Sequence, residues 1–230
     1  MQCRDGLPKL FTSIGRERLM AEDHAPIVIA MTGASGARYG LRLIQCVAKA
    51  GRTVLLLLSD AARIVIETEI GWRLADDEDA LLNEFCQRLE IDPAQLRFSA
   101  KRDWFSPAAS GSSGIDQMVI CPCSMGTLSS IAQGASGQLI ERAADVMIKE
   151  RKQLILMPRE TPYSQIHLQN MLKLSQNGVL ILPASPGFYY DPQTIEALID
   201  FIVARILQHL GIEQTLLAKW GLQQISQQPK

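Results

Sequence analysis

At 230 residues, 47% hydrophobic and 20% charged, the chain has the make-up of an ordinary globular protein with room for one substantial core. A formal net charge of −1 argues against a general binder of nucleic acid or anionic membrane, either of which favours a basic surface. No apolar run approaches the ~20 residues that span a bilayer, and the scattered Cys3, Cys46, Cys86, Cys121 and Cys123 and distant His24, His167 and His209 offer no metal-ligand spacing. The expectation is a soluble, reduced, cytoplasmic chain with no metal.

In chain order, residues 1–26 mix charges, Gly and Pro without a sustained period and read as a flexible lead-in; "MAEDHAP" from Met20 offers a second start. Regularity begins at Ile27. "IVIAM" is followed by "TVLLLLS" from Thr53, "QMVICP" from Gln117, "QLILMP" from Gln153 and "GVLILP" from Gly178. These runs are continuous rather than alternating, as in strands buried on both faces of a parallel sheet. Between them, residues 37–50 place Leu41, Ile44, Val47 and Ala48 on one helical stripe. Similar stripes begin at Ala80, Ser164 and Thr194, the last with Pro192 suitably placed for a helix start. Alternating strands and helices predict a three-layer, doubly wound α/β sheet of the Rossmann or flavodoxin-like class. One domain over 27–221 and a tail at 222–230 complete the expected organisation.

Ligands of such sheets bind outside the carboxyl ends of the strands. Thr32-Gly33-Ala34-Ser35-Gly36 follows the first strand, yet "TGASG" fits neither the Walker loop nor the dinucleotide fingerprint. Its glycines allow a tight turn, and free N–H groups at the helix start favour an anion. Ser124, Gly126 and Thr127 repeat that logic after "MVICP". Taken alone, either loop is plain turn chemistry; two at neighbouring strand ends suggest a nucleotide or a flavin. Arg142, Lys149, Arg151, Lys152 and Arg159 surround one strand. Such a run is ordinarily a solvated helix face, but Arg142 and Lys149 share a face if the segment is one helix. Arg159 just past a buried strand is poorly explained by solvation, and Glu160 beside it is a candidate proton carrier.

"TGASGARYGLRL", "ICPCSMGTLSSIA", "LIERAADV", "LMPRETPYSQIHLQNMLKLS" and "ILPASPGFY" together resemble the flavin prenyltransferases of the UbiX type, from about Ile27 to Gly221. The resemblance implies metal-independent transfer of a dimethylallyl group from its phosphate ester to N5 and C6 of reduced FMN. The product would be prenylated FMN for UbiD-type decarboxylases, often in ubiquinone synthesis. Residue by residue, it implies that Gly33, Ala34, Ser35, Ser59, Ser124, Met125, Gly126, Thr127 and Arg159 hold the flavin. It implies Glu160, Ser35 and Glu69 as catalytic groups, Glu160 as acid/base and Ser35 as its proton-relay partner. Tyr189, Arg205, Lys149, Arg142, Trp104 and Trp220 would line the dimethylallyl phosphate site. Relatives assemble as dodecamers with sites between subunits, so the tail carrying Leu216, Leu217 and Trp220 is expected at an interface. The chain departs in its extra N-terminal segment and in "SGQLIER", where relatives often carry an Asn pair. The alternatives are an FMN-dependent cysteine decarboxylase and a non-catalytic FMN-binding subunit. Monophosphate and diphosphate donors are both open.

Overall fold

The computed structural model describes residues 25–217. Six strands form one parallel sheet: β1 (Ile27–Met31), β2 (Val54–Leu58), β3 (Leu96–Phe98), β4 (Gln117–Cys123), β5 (Gln153–Pro158) and β6 (Leu180–Ile181). Their spatial order is β3-β2-β1-β4-β5-β6. The helices are α1 (Ala37–Lys49), α2 (Asp60–Ile70), α3 (Glu78–Leu89), α4 (Met125–Ala132), α5 (Leu139–Lys149), α6 (Gln165–Gln176) and α7 (Ile195–His209). This is the doubly wound α/β architecture expected from the strand–helix alternation.

The continuous apolar runs are explained by burial on two faces. Along β1, Ile27, Ile29 and Met31 join a cluster with α1, α3 and α7, whereas Val28 and Ala30 join a second cluster with α4 and α5. Successive side chains of a strand point to opposite faces, so a strand covered on both sides has no position for a polar residue. Each fully buried Leu or Ile contributes roughly 1.5–3 kcal/mol. The α1 stripe is buried as expected, with Leu43 added to it. Gly40 sits in that stripe although glycine costs a helix about 1 kcal/mol relative to Ala. A Cβ there would stand 2.4 Å from the carbonyl oxygen of Cys121, so its absence lets α1 lie directly on β4.

Four features differ from expectation. β3 is only three residues long and carries the exposed Arg97, so it shows no apolar run. The sixth strand pairs over Leu180–Ile181 alone, shorter than "GVLILP" suggests. Helix α2 lies within "DAARIVIETEI" and buries just Ala62 and Ile66, too thin a stripe to stand out. At α7 the cap is Thr194, whose hydroxyl accepts the Ala197 N–H at 3.1 Å; Pro192 lies two residues outside it.

Candidate functional site

The strand order reverses between β1 and β4, which makes their carboxyl ends the switch point of the sheet. A cavity of about 470 Å³ opens there, with Gly33, Ser59, Ser124, Gly126, Thr127 and Lys101 in its wall. Three helices begin at its edge, α2, α4 and α5. Ser59 caps α2, its hydroxyl accepting the Ala62 N–H at 3.1 Å, and Ser124 caps α4 by accepting the Thr127 N–H at 3.3 Å. The Ser124 hydroxyl also donates to Thr127 Oγ1 at 3.1 Å. Helix N-termini carry partial positive charge and unsatisfied N–H groups, so those of α2 and α4, aimed at one space, favour an anion. Lys101 in the same wall is paired with Asp60 in the first turn of α2, so the positive character of the cavity rests on the helix N-termini. A Cβ on Gly126 would meet no protein atom within 4 Å, so this glycine borders open space rather than a packed neighbour. Gly33 is the opposite case: a Cβ would stand 2.5 Å from that of Ala61. The donor set and the space fit a phosphate-bearing ligand.

The first turn does not present the free donors expected of it. Gly36 has φ +108°, a left-handed conformation that favours glycine. That bend aims its N–H at Glu69, whose two oxygens accept it at 2.9 and 3.0 Å, while Oε2 also accepts the Ala37 N–H at 2.9 Å. A carboxylate from the end of α2 therefore already occupies the N-terminus of α1. Burial alone would raise the Glu69 pKa. Hydrogen bonds from the Ser35 side chain and the Gly36 and Ala37 N–H groups, with the nearby Arg159 charge, outweigh it and hold Glu69 below the usual carboxylate range. The anion cradle is thus formed by α2 and α4, not by α1.

Ser35 and Arg159 meet although 124 positions separate them: Arg159 Nε donates to the Ser35 carbonyl at 3.2 Å. Both lie at strand ends, Ser35 beyond β1 and Arg159 beyond β5, so the sheet brings them together. Glu160 follows directly, with Oε1 accepting the Thr161 N–H at 3.1 Å. The Tyr163 hydroxyl has a raised pKa, first from burial and then from the Glu160 charge, with Arg159 opposing. Ser35, Glu69 and Arg159 thereby form one electrostatically connected group, with Ser35 two residues along the chain from the cavity-lining Gly33, and Glu160 adjoins Arg159 in sequence. Ala34 is buried, and the Met125 side chain packs into the second core cluster, leaving only its backbone to the loop.

Other expected residues lie elsewhere in the chain. Helix α5 is continuous from Leu139 to Lys149, as the shared face of Arg142 and Lys149 requires. Its start borders the cavity, so Lys149, ten residues on, lies about 15 Å further along the axis. Lys149 pairs there with Glu150. Arg142 bonds Asp145 at 3.0 Å and the Ala109 carbonyl at 3.2 Å. The first turn of α7 lies beside that of α1, where Glu196 meets Arg38 at 3.3 Å. Arg205 is therefore also about 15 Å down its helix, exposed and bonded to Gln208. Tyr189, 64% exposed, packs on Tyr190 and edge-on against Phe201. Trp104 is half exposed beside the fully exposed Phe105. Trp220 lies outside the described residues, whereas Leu216 packs partly against the chain's own first core cluster.

A larger cavity, about 550 Å³, lies over α1 between α3 and α7. Its charged groups pair with one another, Arg38 with Glu196 and Arg42 with Asp200, and its wall is made of helix residues, with none from the strand-end loops. The smaller cavity is therefore the better candidate. Lys101 and Asp60 escape sequence reasoning, because neither belongs to a periodic segment or motif. Thr32 opens the "TGASG" turn, yet the sequence shows no partner for it.

A family model described as Flavoprotein matches residues 15–207. A protein from Pseudomonas aeruginosa named flavin prenyltransferase UbiX is 54% identical over 202 residues, 86% of this chain and 95% of that protein. Among solved structures, AnUbiX (PadA1) in complex with FMN and dimethylallyl pyrophosphate has a TM-score of 0.76 at 35% identity, over 86% of this chain and 98% of that one. The dodecameric FMN-dependent UbiX-like decarboxylase from Escherichia coli O157:H7 has a TM-score of 0.73 at 34% identity, over 85% of this chain and all of that one (100%).

Proposed function

Because the chain belongs to the Flavoprotein family, and within it to the flavin prenyltransferases of the UbiX type, we propose that it joins a dimethylallyl group to reduced FMN. The observation that carries this reading is the polar cavity between the N-termini of α2 and α4, with Gly33 in its wall and Ser35, two residues on, bonded to Arg159. The 54% identity to a prenyltransferase favours it over cysteine decarboxylation.

The FMN phosphate is held by Ser59, Ser124, Gly126 and Thr127, at the N-termini of α2 and α4. Gly33, Ala34, Ser35, the Met125 backbone and Arg159 bound the ring end. Because α1 is already capped by Glu69, the phosphate has one electrostatically favoured end of the site, and that fixes the ligand's direction. Reduced FMN, when bound, supplies the N5 and C6 positions to which the five-carbon group is joined. The allylic C–O bond breaks with phosphate leaving, and cations stabilise that developing charge without a metal. Bonding at N5 would use the broken C–O bond and release the N5 proton; bonding at C6 would consume the remaining C=C, which takes up one proton, and would release the C6 proton. Glu160 accepts it: Oε1 is engaged by the Thr161 N–H, which leaves Oε2 for the proton. Ser35 relays protons on the Glu69 side.

Arg142, Lys149, Trp104, Tyr189, Arg205 and Trp220 serve the dimethylallyl phosphate from more than one copy of the chain. Support comes from the separation of Lys149 and Arg205 from the cavity and from the dodecameric relative. The exposed Phe105, Ile166, Leu168 and Leu172 offer the apolar surface such an assembly would cover. No helix of the described residues is long and apolar enough to cross a membrane. We place the enzyme in the cytoplasm, as a dodecamer delivering prenylated FMN to a UbiD-type decarboxylase, with ubiquinone synthesis as the pathway served. Mass spectrometry of the flavin after incubation with reduced FMN and dimethylallyl phosphate, or its diphosphate, tests the activity. FMN carrying one added five-carbon unit is expected; intact binding with unmodified FMN from either donor would support a non-catalytic flavin carrier.

A further inference from the structure

One buried side chain joins the two loops that flank the switch point. Thr32, the first residue after β1, is 1% exposed. Its hydroxyl donates to the Pro122 carbonyl at 2.9 Å and accepts the Ser124 N–H at 2.8 Å. Its own N–H reaches the same Pro122 carbonyl at 3.2 Å. These bonds stand where the regular ladder stops. The paired register of β1 and β4 ends at Ala30 and Ile120. The β4–β5 register shifts between Ile120 and Cys123, and Pro122 has no N–H to offer. Without the Thr32 hydroxyl, the end of β4 would be tied to β1 by one backbone bond.

The consequences reach both walls of the cavity. On one side, the Ser124 N–H held by Thr32 belongs to the residue whose hydroxyl caps α4 and bonds Thr127. On the other, the Thr32 carbonyl accepts the Ala34 N–H at 2.9 Å and so turns the chain toward Gly36. We propose that Thr32 is a positioning residue for the flavin: its hydroxyl sets the separation of the Gly33–Gly36 turn from the Ser124–Thr127 helix start. This rests on the flavin reading above. Thr32 touches no reacting atom and acts through the two loops it joins.

The test is the FMN dissociation constant of the wild type, Thr32→Val and Thr32→Ser, measured on folded protein by flavin fluorescence alongside the melting temperature. Valine keeps shape and volume but strands the Ser124 N–H, and loss of a buried hydrogen bond of this kind corresponds to about a tenfold or greater rise in Kd. Serine keeps the hydroxyl and should bind FMN within about threefold of the wild type. A Thr32→Val protein with lowered melting temperature but unchanged Kd would show a merely structural role and overturn the proposal. So would a Thr32→Ser protein that binds as weakly as the valine variant. If valine does not give folded protein, Thr32→Ala carries the same comparison; if that also fails, Thr32→Ser decides, since binding outside the threefold window overturns the proposal. Wild-type protein that does not bind FMN would overturn the flavin reading itself, and a failure confined to the variants would overturn only the role of Thr32.

Discussion

Over β1, β2 and β4, the cradle is finished within one chain: its helices are capped, its glycines are placed, and its carboxylate is bonded three times over. Along α5 and α7, the cations that the family resemblance assigns to the allylic phosphate are spread down two helices. They are bonded to local partners such as Glu150 and Gln208. The same sequence reasoning selected both regions, yet only the first is assembled by folding alone. A preorganised polar site needs its donors fixed before the ligand arrives, and intrachain hydrogen bonds achieve this for the flavin side. In the assembly proposed above, the other side takes its geometry from neighbouring copies. Flavin binding and prenyl transfer should therefore respond separately to mutation.

The sharpest separation is expected at Glu160. Glu160→Gln should bind FMN normally and lose about 10²–10⁴ in turnover, the usual worth of one general acid/base. Single-turnover formation of prenylated flavin at the wild-type rate would remove the carboxylate from the mechanism. Next in size comes the assembly. Leu168 and Leu172 lie four residues apart on α6 and are 53% and 59% exposed, so replacing both by Glu should leave the fold intact. Light scattering should then report smaller particles, and turnover should fall at least tenfold (roughly the effect of disrupting an apolar interface contact). A variant that stays fully assembled would show that α6 faces solvent in the working enzyme.

A smaller effect is predicted within the cradle. Ser35→Ala should fold, because Gly36 makes the turn, and should slow prenylation about 2- to 10-fold, the worth of one hydrogen bond. Unchanged rates would reduce Ser35 to a turn residue. The smallest effect concerns stability. Glu69→Gln removes a charge from the start of α1 and should lower the melting temperature by about 2–4 °C, equivalent to roughly 1 kcal/mol. The folded pKa of Glu69 is depressed, so its contribution is present above the unfolded value near ~4.3 and lost as pH falls through the folded value. Wild type and variant should therefore converge in stability on acidification below about pH 4. A constant difference down to strongly acid pH would mean that the charge is irrelevant.

Five strands and four helices could be read from the sequence because burial on two faces, or on one stripe, leaves a pattern in adjacent residues. The strand-end loops were legible for the same reason: they are what the pattern leaves over. The contacts between them were not. Glu69 reaches Gly36 across 33 positions and Arg159 reaches Ser35 across 124, and nothing local to either partner announces the other. Hence the turn was expected to offer N–H groups to a ligand that in fact meet a carboxylate. Lys149 and Arg205 show the reverse failure. Their assignment came by resemblance, which places residues in a site without saying which copy contributes them. Leu216 was grouped with the tail at an interface, but its partial packing on the chain's own core means that a truncation test should begin after Leu217.

The two strands at the margins of the sheet are its shortest, three residues in β3 and two in β6. An open sheet margin is a template on which a further strand can add, and addition of that kind has no natural stopping point. Here the ladder available at either margin is too brief to hold another chain. In the assembly proposed above, copies therefore meet through helices and loops rather than by strand addition. Contacts of that kind give a particle of finite size where their rotation closes, as the proposed dodecamer requires, and a helical filament where it does not.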